Sequence, residues 1–446
     1  MTIAYNGAKV NMKVCKFGGT SMANGNTISR VVDVINQDSQ RRYIVVSAPG
    51  KRDKTDVKVT DALYACFAER TEKGNCDESF EVVRKRFSEI VENLGVDFDV
   101  NAVLDEIKAG IESSKTADYA ASRGEYLCAM VLAKKLGYEF VDTADIIKFN
   151  DSKKLQMHYS LDLIKKRLEN VERAVIPGFY GSDRNGEITT FSRGGSDITG
   201  ALVARAVGAD IYENWTDVDG FLTADPRVVD NPTIIDFLSY RELRELAYMG
   251  AEVLHPESIF PVRSVGIPIN IKNTFNPSHP GTMIVSEKNL PKNTKVVTGI
   301  AGKKGFTIIN IEKDMMNSEI GFGRKVLSVL EFEGISFEHV PSGIDTLSVV
   351  IRDEYIAGKM QKVLSALQES VNADNIEIHS GLSLIATVGH NMASRLGTAA
   401  RVFGALADSN VNIRMIDQGS SELNIIVGVD TFDYEKAINA IYNAFV

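Results

Sequence analysis

Apolar runs alternate with helical patterns over most of the chain, and this alternation is its most regular feature. The runs that predict buried strands are "YIVVSA" (43–48), "RAVIPGFYG" (173–181) and "IPINIKNT" (267–274). Between such runs lie helical spacings, for example apolar residues at i, i+3, i+4 and i+7 over 28–35, behind a cap at Asn26 or Thr27. Strands that alternate with helices predict an α/β domain, a largely parallel sheet sandwiched by helices, which we place at residues 12–286.

The stretch "SEKNLPKNTK" (286–295) is polar, contains proline and has no periodicity, so we interpret it as a linker. After it the sequence repeats itself at an offset of 76 positions, with Gly321 over Gly397. The gap-free matches are Val326 with Val402, Leu330 with Leu406, Ile335 with Val411, Phe337 with Ile413, Val340 with Ile416, Gly343 with Gly419 and Leu347 with Leu423. Such a match indicates two copies of one small unit.

Each copy follows the order strand, helix, strand, strand, helix. The first copy ends in a further strand, "NIEIHS" (375–380), whereas the second has no final strand. The apolar stretch "KVVTGIAG" (295–302), just before the first copy, fills the missing place. We therefore predict two ferredoxin-like βαββαβ units, the first at 305–380 and inserted into the second at 295–302 plus 381–446.

Composition narrows the classes of function. A chain of 446 residues with 44% hydrophobic and 24% charged residues predicts two or three globular domains, and a net charge of −9 argues against nucleic acid or an anionic membrane as partner. The four cysteines form no CxxC pair and the six histidines form no HxxxH pattern, so we expect reduced thiols and no protein-held zinc. Without a long apolar segment or the apolar core of a signal peptide, we expect a cytoplasmic protein.

The segment "VCKFGGTSM" (14–22) carries candidate phosphate-binding residues at a predicted strand end. Gly18 and Gly19 let backbone N–H groups approach a phosphate, and Lys16 adds a mobile positive charge. The lysine precedes the glycines, so this is not the GxxxxGK[ST] arrangement. Adjacent glycines at a strand end are also compatible with a simple turn.

A second glycine-rich segment, "TTFSRGGSDITGALVARAVGAD" (189–210), runs from a predicted strand into an Ala-rich helix. The free N–H groups of Gly194 to Ser196 at the helix start form an anion site, and Arg193 can bind a carboxylate or phosphate with two hydrogen bonds. Asp197 cannot bind an anion itself, so it orients a lysine or a substrate amine. The alternative is a capped helix with a surface arginine.

Two further segments contain polar candidates. "WTDVDGFLTADPR" (215–227) is a loop in which Thr216, Asp217 and Arg227 can hold a nucleotide, while Trp215 is better explained by core packing. "SRGEYL" (122–127) opens another predicted helix, and its Glu125 can hold a substrate ammonium group. Taken alone, Glu125 is better explained as a first-turn charge that the helix dipole favours.

Together these segments resemble the amino acid kinase family and, within it, the aspartate kinases. The motifs occur in the family's order: "KFGGTS" (16–21), "VVSAPG" (45–50), "KVTD" (58–61), "SRGE" (122–125), "FSRGGSD" (191–197), "WTDVDG" (215–220) with "ADPR" (224–227), and "VLHP" (253–256). The duplicated C-terminal units resemble paired ACT domains, and "NIRMIDQGSSELNI" (412–425) is especially typical. The resemblance implies an amino acid kinase fold followed by two ACT units.

The resemblance also implies an activity: transfer of the γ-phosphoryl group of ATP to the β-carboxylate of L-aspartate, the first step of lysine, threonine and methionine biosynthesis. Since that carboxylate is ionised at pH 7, no general base is needed. Mg²⁺ would arrive on the ATP phosphates, and no organic cofactor is implied. The implied catalytic residues are Lys16 and Asp197, with Gly18 and Gly19 on the phosphate; the aspartate site would use Ser47, Thr60, Glu125, Arg193, Gly194 and Ser196, and the ATP site Thr216, Asp217 and Arg227.

Two positions depart from the family's pattern. Many members have tyrosine where this chain has Leu222, and many have lysine before "VLHP" where this chain has Glu252. A carboxylate beside phosphates would repel them unless the side chain turned away. We therefore assign Glu252 no role at the nucleotide, and our hypothesis is that Lys272 takes the place of the missing lysine.

ACT pairs in this family bind an end-product amino acid, which implies feedback inhibition and a homodimer or homotetramer formed through these units. The implied effector residues are Met316, Gly321, Phe322, Ser336, Phe337 and Glu338. The acidic Glu338 favours lysine as the effector, with threonine or both together as alternatives, although Glu338 can also be an ordinary exposed strand residue.

Three other functions are compatible with parts of the sequence. A sister amino acid kinase with another carboxylate substrate is disfavoured by the paired ACT units, and a kinase fused to homoserine dehydrogenase by the lack of a dinucleotide-binding fingerprint. A catalytically weak amino-acid sensor is favoured by Leu222 and Glu252 but disfavoured by intact Lys16, Arg193 and Asp197.

Overall fold

The computed structural model describes residues 11–251, 253–254, 257–292 and 295–446, which form two compact units. The first unit holds the described chain to Phe221, then Ile234–Tyr240 and the stretch that ends at Leu290. The second unit holds Leu222–Thr233, Arg241–Ala251 and the chain from Pro291 to Val446. Two short segments inside the predicted catalytic range of 12–286 thus belong to the second unit, because Ala224 and Val229 pack in its core.

The first unit is built on an eight-stranded sheet. The strands of this unit are β1 (Lys13–Phe17), β2 (Arg41–Val46), β3 (Glu139–Phe140), β4 (Ala174–Pro177), β5 (Tyr180–Ser182), β6 (Ile188–Thr190), β7 (Ile211–Thr216), β8 (Phe237–Ser239), β9 (Ile269–Asn273) and β10 (Thr282–Val285). Their order across the sheet is β3-β4-β2-β1-β7-β9-β10-β8, while β5 and β6 form a separate antiparallel pair. Within the large sheet the described pairs are parallel apart from β9 with β10.

Helices cover both faces of this sheet. The helices of the first unit are α1 (Gly25–Asn36), α2 (Val59–Lys73), α3 (Asp77–Leu94), α4 (Val100–Ser113), α5 (Ala117–Leu136), α6 (Thr143–Ile146), α7 (Met157–Leu168), α8 (Gly195–Val207) and α10 (Phe260–Arg263), whereas α9 (Tyr240–Tyr248) belongs to the second unit from Arg241 onwards. The expected cap of α1 at Asn26 or Thr27 is wrong: the helix begins at Gly25, and the side chain of Asn24 accepts from the N–H of Thr27 in a reciprocal capping box.

Strand register assigns neighbouring residues to opposite faces of the sheet, because side chains alternate along a strand. Cys15, Phe17 and Trp215 pack into the apolar core formed with α1 to α5. Lys16 of β1 and Asn214 of β7 are register partners, and each directly precedes one of these core residues, Phe17 or Trp215. Their side chains therefore lie on the other face of the sheet, where both contact Asp197 of α8. One face of β1 and β7 is therefore core, and the other faces α8 with polar side chains.

The second unit contains a five-stranded antiparallel sheet in the order β12-β11-β13-β15-β14. Its strands are β11 (Gly299–Glu312), β12 (Thr346–Arg352), β13 (Asn375–Val388), β14 (Ile413–Asp417) and β15 (Asn424–Asp430). Its helices are α11 (Phe322–Phe332), α12 (Asp353–Ile356), α13 (Met360–Val371), α14 (Thr398–Asp408) and α15 (Tyr434–Phe445).

Strands β11 and β13 are long because each serves two apolar cores. In their paired halves at 306–312 and 375–382, β11 also pairs with β12, and the core there contains residues of α11 and α13. In their other halves, 299–304 and 383–388, β13 also pairs with β15, and that core contains residues of α14 and α15. The segment predicted to complete the second repeat, 295–302, thus enters β11 and pairs with the first strand of that repeat.

Candidate active site

The polar candidates of the first unit lie where the parallel strands β1, β2 and β7 end. Gly18 N–H donates to the carbonyl of Trp215 at 3.0 Å, and Ser47 N–H donates to the carbonyl of Phe17 at 3.0 Å. These bonds continue the sheet ladder by one residue into the loops. Since carboxyl ends of parallel strands share one edge, the loops after β1, β2 and β7 begin side by side, which is where α/β folds bind ligands.

The loop after β1 packs closely on the loop after β2, through two glycines. Gly50 N–H donates to the carbonyl oxygen of Gly19 at 2.8 Å, and a Cβ built on Gly50 would lie 2.7 Å from the Gly19 carbonyl carbon. A side chain at residue 50 would therefore separate the two loops. At Gly18, a Cβ would lie 3.7 Å from Lys16 Nζ, so the bare glycine leaves the space next to the ammonium group open.

Lys16 and Asp197 form an ion pair at this edge. Lys16 Nζ lies 2.6 Å from Asp197 Oδ1, and both side chains are largely buried. Asn214 Nδ2 donates to the same oxygen at 2.9 Å. Of the two partners that the sequence analysis left open for Asp197, a lysine or a substrate amine, the structure places Lys16 next to it. The orienting role stays a prediction, and the contact with Asn214 had not been predicted.

Helix α8 begins without a side-chain cap. Its N-cap is Gly194, whose φ of +57° is in the left-handed region that glycine adopts without strain, and no side chain caps the first turn. The first N–H groups therefore remain available to an anion. The loop after β4 packs on this helix start, because a Cβ on Gly195 would lie 2.8 Å from the Cα of Phe179.

Phe179, which packs on this helix start, was not identified by the sequence analysis. Its φ of +77° is rare for a bulky residue and marks a strained backbone, of the kind that clusters at functional sites. Its carbonyl accepts from Phe191 N–H at 2.9 Å, which ties the loop to the segment before α8. The signal in the sequence was the Pro-Gly interruption inside the run at 173–181.

Glu125 is buried in the middle of α5, and this corrects the sequence interpretation. The helix begins at Ala117, so Glu125 is not a first-turn charge. Burial raises the pKa of its carboxyl group to about 8, although an N–H of Ala48 donates to it. Oε2 of Glu125 has no hydrogen-bond partner among the described residues. A buried carboxylate with a free oxygen is suited to an incoming ammonium group.

The other aspartate-site candidates lie near the same loop or at the start of α8. Ser47 is half-buried directly after β2, and Thr60 is half-buried in the first turn of α2, whose Val59 N–H donates to the carbonyl of Pro49. Ser196 is buried in the first turn of α8. Arg193 is exposed just before that helix. The structure thus brings Ser47, Thr60 and Glu125 to one loop, and Arg193, Gly194 and Ser196 to one helix start.

The nucleotide candidates are divided between the two units. Thr216 ends β7, and its hydroxyl donates to the exposed Asp217 at 3.1 Å. Arg227 belongs to the second unit, where its guanidinium group lies 2.6 Å from Asp225. The structure therefore does not gather the three residues within one unit. Glu252 lies outside the described residues, as do His255 and Pro256 of "VLHP".

Lys272 is held in the interior of the first unit. Its ammonium group donates to the carbonyl of His279 at 2.8 Å and lies 5.3 Å from the centre of the Trp215 ring. Burial lowers the pKa of Lys272. As the register partner of Trp215 it points away from the face that carries Lys16. These contacts indicate a scaffold role rather than the nucleotide role of our hypothesis.

A buried ionic cluster, which the sequence analysis did not identify, joins the strands β1, β2 and β7. Glu213 accepts from Arg41 Nε at 2.8 Å and from Trp215 Nε1 at 2.9 Å, and Lys13 Nζ lies 3.0 Å away. Burial alone would raise the pKa of Glu213, but Arg41 and Lys13 outweigh it and lower the pKa to about 2. Trp215 is fully buried, as core packing requires.

The candidate effector residues lie in the second unit on both sides of α11 in the sequence, Met316, Gly321 and Phe322 at or before its start and Ser336, Phe337 and Glu338 after its end. Gly321 is the N-cap of α11 with a φ of +84°, Phe322 and Met316 are buried, and Ser336 and Phe337 are exposed. Glu338 is already engaged: Oε1 lies 2.6 Å from Arg352 Nε, and Oε2 accepts from the hydroxyl of Tyr248 at 2.5 Å. The carboxylate of Glu338 is thus not a free acceptor. The alternative interpretation of Glu338 as an ordinary exposed strand residue is wrong, because its side chain is buried and paired.

The chain matches two family models. Residues 11–273 match the amino acid kinase family, and residues 385–445 match an ACT domain. Aspartokinase 3 of Bacillus subtilis is 39% identical over 450 residues, which cover 97% of this chain and 98% of that protein.

Solved structures give the same picture. The aspartate kinase of Clostridium acetobutylicum is 52% identical and superimposes with a TM-score of 0.91, covering 98% of this chain and all of that one. Aspartokinase III of E. coli, in complex with aspartate and ADP, is 25% identical with a TM-score of 0.73, covering 97% of this chain and 99% of that one. The predicted fold class is therefore confirmed.

In the described part of the chain, no helix is both long enough and apolar enough to cross a membrane.

The edge of the parallel sheet, with its lysine, its glycine loops and its uncapped helix, occurs within the range that the kinase model matches. The chain therefore belongs to the amino acid kinase family, among its ATP-dependent aspartate kinases that carry a C-terminal ACT domain.

Proposed function

We propose that the protein transfers the γ-phosphoryl group of ATP to the β-carboxylate of L-aspartate and forms 4-phospho-L-aspartate, as the first step towards lysine, threonine and methionine. The observation that carries this proposal is the juxtaposition of Lys16 and Asp197 at an uncapped helix start, with the free carboxylate oxygen of Glu125 at the neighbouring loop. The complex of E. coli aspartokinase III with aspartate and ADP supports it.

Aspartate is held through its three charged groups in this proposal. Glu125 accepts the ammonium group, because a buried carboxylate with an unpaired oxygen gains most from a cation. Arg193 binds a carboxylate bidentately, and the N–H groups after Gly194, with the hydroxyl of Ser196, bind at the helix start. Ser47, on the loop that also contacts Glu125, and Thr60, in the first turn of α2, complete the site.

Lys16 is the main catalytic group. Its ammonium group sits next to the bare Cα of Gly18, so it can stabilise the charge that develops on the transferred phosphoryl group, with N–H donors of Gly18 and Gly19 beside it. No proton has to be removed from the acceptor, and catalysis consists of positioning and charge stabilisation during in-line transfer.

The nucleotide is held after β7 in this proposal, by Thr216 and Asp217, with Arg227 as a further candidate. Among the described residues, no group of three or more His, Cys, Asp or Glu side chains is placed to hold a metal ion. We propose that Mg²⁺ arrives bound to ATP, where it would neutralise charge on the phosphates.

We further propose feedback inhibition through two ACT units with the predicted boundaries, 305–380 inserted into 295–302 plus 381–446. Pairing of 299–304 with 383–388 supports the insertion. We propose lysine as effector, since E. coli aspartokinase III, 27% identical with a TM-score of 0.73, was solved with lysine and aspartate in a T-state. The effector carboxylate would bind at the start of α11, near Gly321 and Phe322, and Met316, Ser336 and Phe337 would line the site.

Because Arg352 and Tyr248 occupy Glu338, an effector ammonium group would have to displace or share these contacts. Threonine, or lysine with threonine, therefore stays as the alternative effector. A homodimer or homotetramer formed through the ACT units, in the cytoplasm, completes the proposal.

The test is ADP release with Mg-ATP and L-aspartate, with hydroxylamine present to trap the acyl phosphate as a hydroxamate. We expect aspartate-dependent turnover that lysine suppresses. Glutamate in place of aspartate is the substrate control, and threonine is the effector control. Absence of aspartate-dependent turnover would overturn the catalytic proposal, and suppression by threonine alone would overturn the choice of lysine.

A further inference from the structure

Asn214 occupies a polar position in the middle of the first unit. It lies in β7 as the register partner of Lys16 in β1, it is 3% exposed, and it faces α8. Its Nδ2 donates to Asp197 Oδ1 at 2.9 Å, and the same oxygen lies 2.6 Å from Lys16 Nζ. One carboxylate oxygen thus accepts from both the candidate catalytic lysine and a buried amide.

The amide of Asn214 fixes the rotation of the Asp197 carboxylate, which the lysine alone cannot fix. The terminal torsion of an aspartate side chain is broad, and an ammonium group can follow either oxygen as the carboxylate rotates. A donor mounted on a strand of the sheet, in contrast, holds Oδ1 at one place relative to β1. Burial of the amide makes the bond costly to lose, because its N–H would otherwise remain unpaired.

We propose that Asn214 is a positioning residue for phosphoryl transfer: by holding Asp197 Oδ1, it keeps the Lys16 ammonium group beside Gly18, where the transferred group passes. This inference rests on the proposed role of Lys16. Asn214 also takes up part of the hydrogen-bonding capacity of Asp197, which leaves more N–H donors of Lys16 free for phosphoryl oxygens.

A purely structural role is the competing explanation, and Tyr212 provides a matched control. It lies two residues earlier in β7, is fully buried, and its hydroxyl donates to the main-chain carbonyl of Asp197 at 3.2 Å. Tyr212→Phe therefore removes a buried hydrogen bond between the same strand and the same helix residue without affecting the carboxylate.

The experiment measures kcat, both KM values and the midpoint of thermal unfolding for Asn214→Leu, Asn214→Asp and Tyr212→Phe. We expect Asn214→Leu, which is similar in volume, to lower kcat about tenfold, the loss of one hydrogen bond to a charged group, with both KM values changed less than threefold. Asn214→Asp puts a second carboxylate against Asp197 and should lower kcat further. Tyr212→Phe should change kcat less than twofold, even if it lowers the midpoint of thermal unfolding as much as Asn214→Leu does.

The inference is overturned if Asn214→Leu keeps kcat within twofold of the wild type, or if Tyr212→Phe loses as much kcat as Asn214→Leu. Should the wild type itself show no aspartate-dependent turnover, the proposed function fails, and a crystal structure of Asn214→Leu decides the inference separately. A rotated Asp197 carboxylate would then support it, and an unchanged contact of Asp197 Oδ1 with Lys16 would contradict it. Asn214→Asp, identical in shape, serves in the same way if the leucine variant does not fold.

Discussion

Lys16 Nζ lies 2.6 Å from Asp197 Oδ1, across the gap between the first strand of the parallel sheet and the first turn of α8. The ammonium group is thereby oriented before any substrate binds, which is the condition under which a charge contributes most to a transition state. The pair also directs the charge of Asp197 to the lysine, so this acidic residue is compatible with the anion site that we propose at the start of α8.

Removal of the Lys16 charge should abolish most of the activity. We expect Lys16→Met to lower kcat by about 10²- to 10³-fold, because a preorganised charge at the transferred group is lost. The measurement is hydroxamate formation at saturating ATP and aspartate. A loss of less than tenfold would place the catalytic charge elsewhere.

Lys272 provides the comparison, since it is a buried lysine on a neighbouring strand whose ammonium group binds the His279 carbonyl. We expect Lys272→Ala to lower the thermal unfolding midpoint and to change the KM for ATP less than twofold. A several-fold rise in that KM would restore the hypothesis that Lys272 contacts the nucleotide.

Aspartate binding should be coupled to the ionisation of Glu125. Burial raises the pKa of its carboxyl group to about 8 in the free protein, so the group is mostly protonated at pH 6 to 7. An ammonium group binds the ionised form, so the proton has to leave on binding. The affinity for aspartate should therefore rise with pH, by up to about tenfold per unit below pH 8, and level off above it.

Isothermal titration calorimetry from pH 6 to 8.5, in two buffers of different ionisation enthalpy, measures both the affinity and the released proton. Glu125→Gln is the control, and it should bind weakly with a flat pH profile. A flat profile in the wild type would contradict the ammonium role of Glu125.

The buried cluster around Glu213 should stabilise the protein at neutral pH and fail in acid. Arg41 and Lys13 hold the pKa of Glu213 at about 2, below the 4.5 of a free glutamate, so its contribution is present above about pH 4.5 and is lost as the pH falls towards 2. Its size is on the order of 3 kcal/mol.

We expect Glu213→Gln to lower the midpoint of thermal unfolding of the first unit at pH 7. The difference in midpoint between this variant and the wild type should shrink as the pH falls to 3. Asp38→Asn is the matched control, because Asp38 binds Lys13 at the partly exposed end of the cluster. A gap that stays constant with pH would show that Glu213 contributes through packing rather than charge.

The contact between Tyr248 and Glu338 should affect regulation. Burial and the hydrogen bond to Glu338 raise the pKa of Tyr248 to about 12, so its hydroxyl stays a donor at physiological pH. Tyr248 ends α9, a helix whose Glu242 also accepts from Thr298 and from the N–H of His390 in the second unit. Because the Tyr248 hydroxyl competes with the effector ammonium group for Glu338, we expect Tyr248→Phe to lower the lysine concentration for half-inhibition about fivefold, within the range of a typical allosteric coupling, with little change in uninhibited kcat.

Tyr355→Phe is the control for that variant, since Arg352 lies over the ring of Tyr355 as it does over that of Tyr248. An equal effect of both variants, or no effect of Tyr248→Phe, would contradict a regulatory role for the hydroxyl contact.

The sequence predicted those features that depend on local pattern. The alternation of apolar runs and helical spacings predicted the parallel sheet, and the glycine segments at 16–21 and 191–197 predicted which strand end and which helix start carry polar groups. The repeat at offset 76 predicted two similar units, because duplicated segments keep their apolar positions. The local pattern failed to predict the position of Glu125 within its helix, since no side-chain cap in the stretch before it marks the start of α5 at Ala117.

The sequence by itself determined the family, the parallel sheet and the positions of the glycine-rich segments at the strand end and the helix start. Only the tertiary structure decided which side chains meet: Asn214 with Asp197, Glu213 with Arg41 and Lys13, and Glu338 with Arg352 and Tyr248. The physical reason is strand register and helix packing, which bring together residues from distant parts of the chain. No local periodicity encodes such contacts, whereas the burial they create sets the pKa of Glu125 and Glu213.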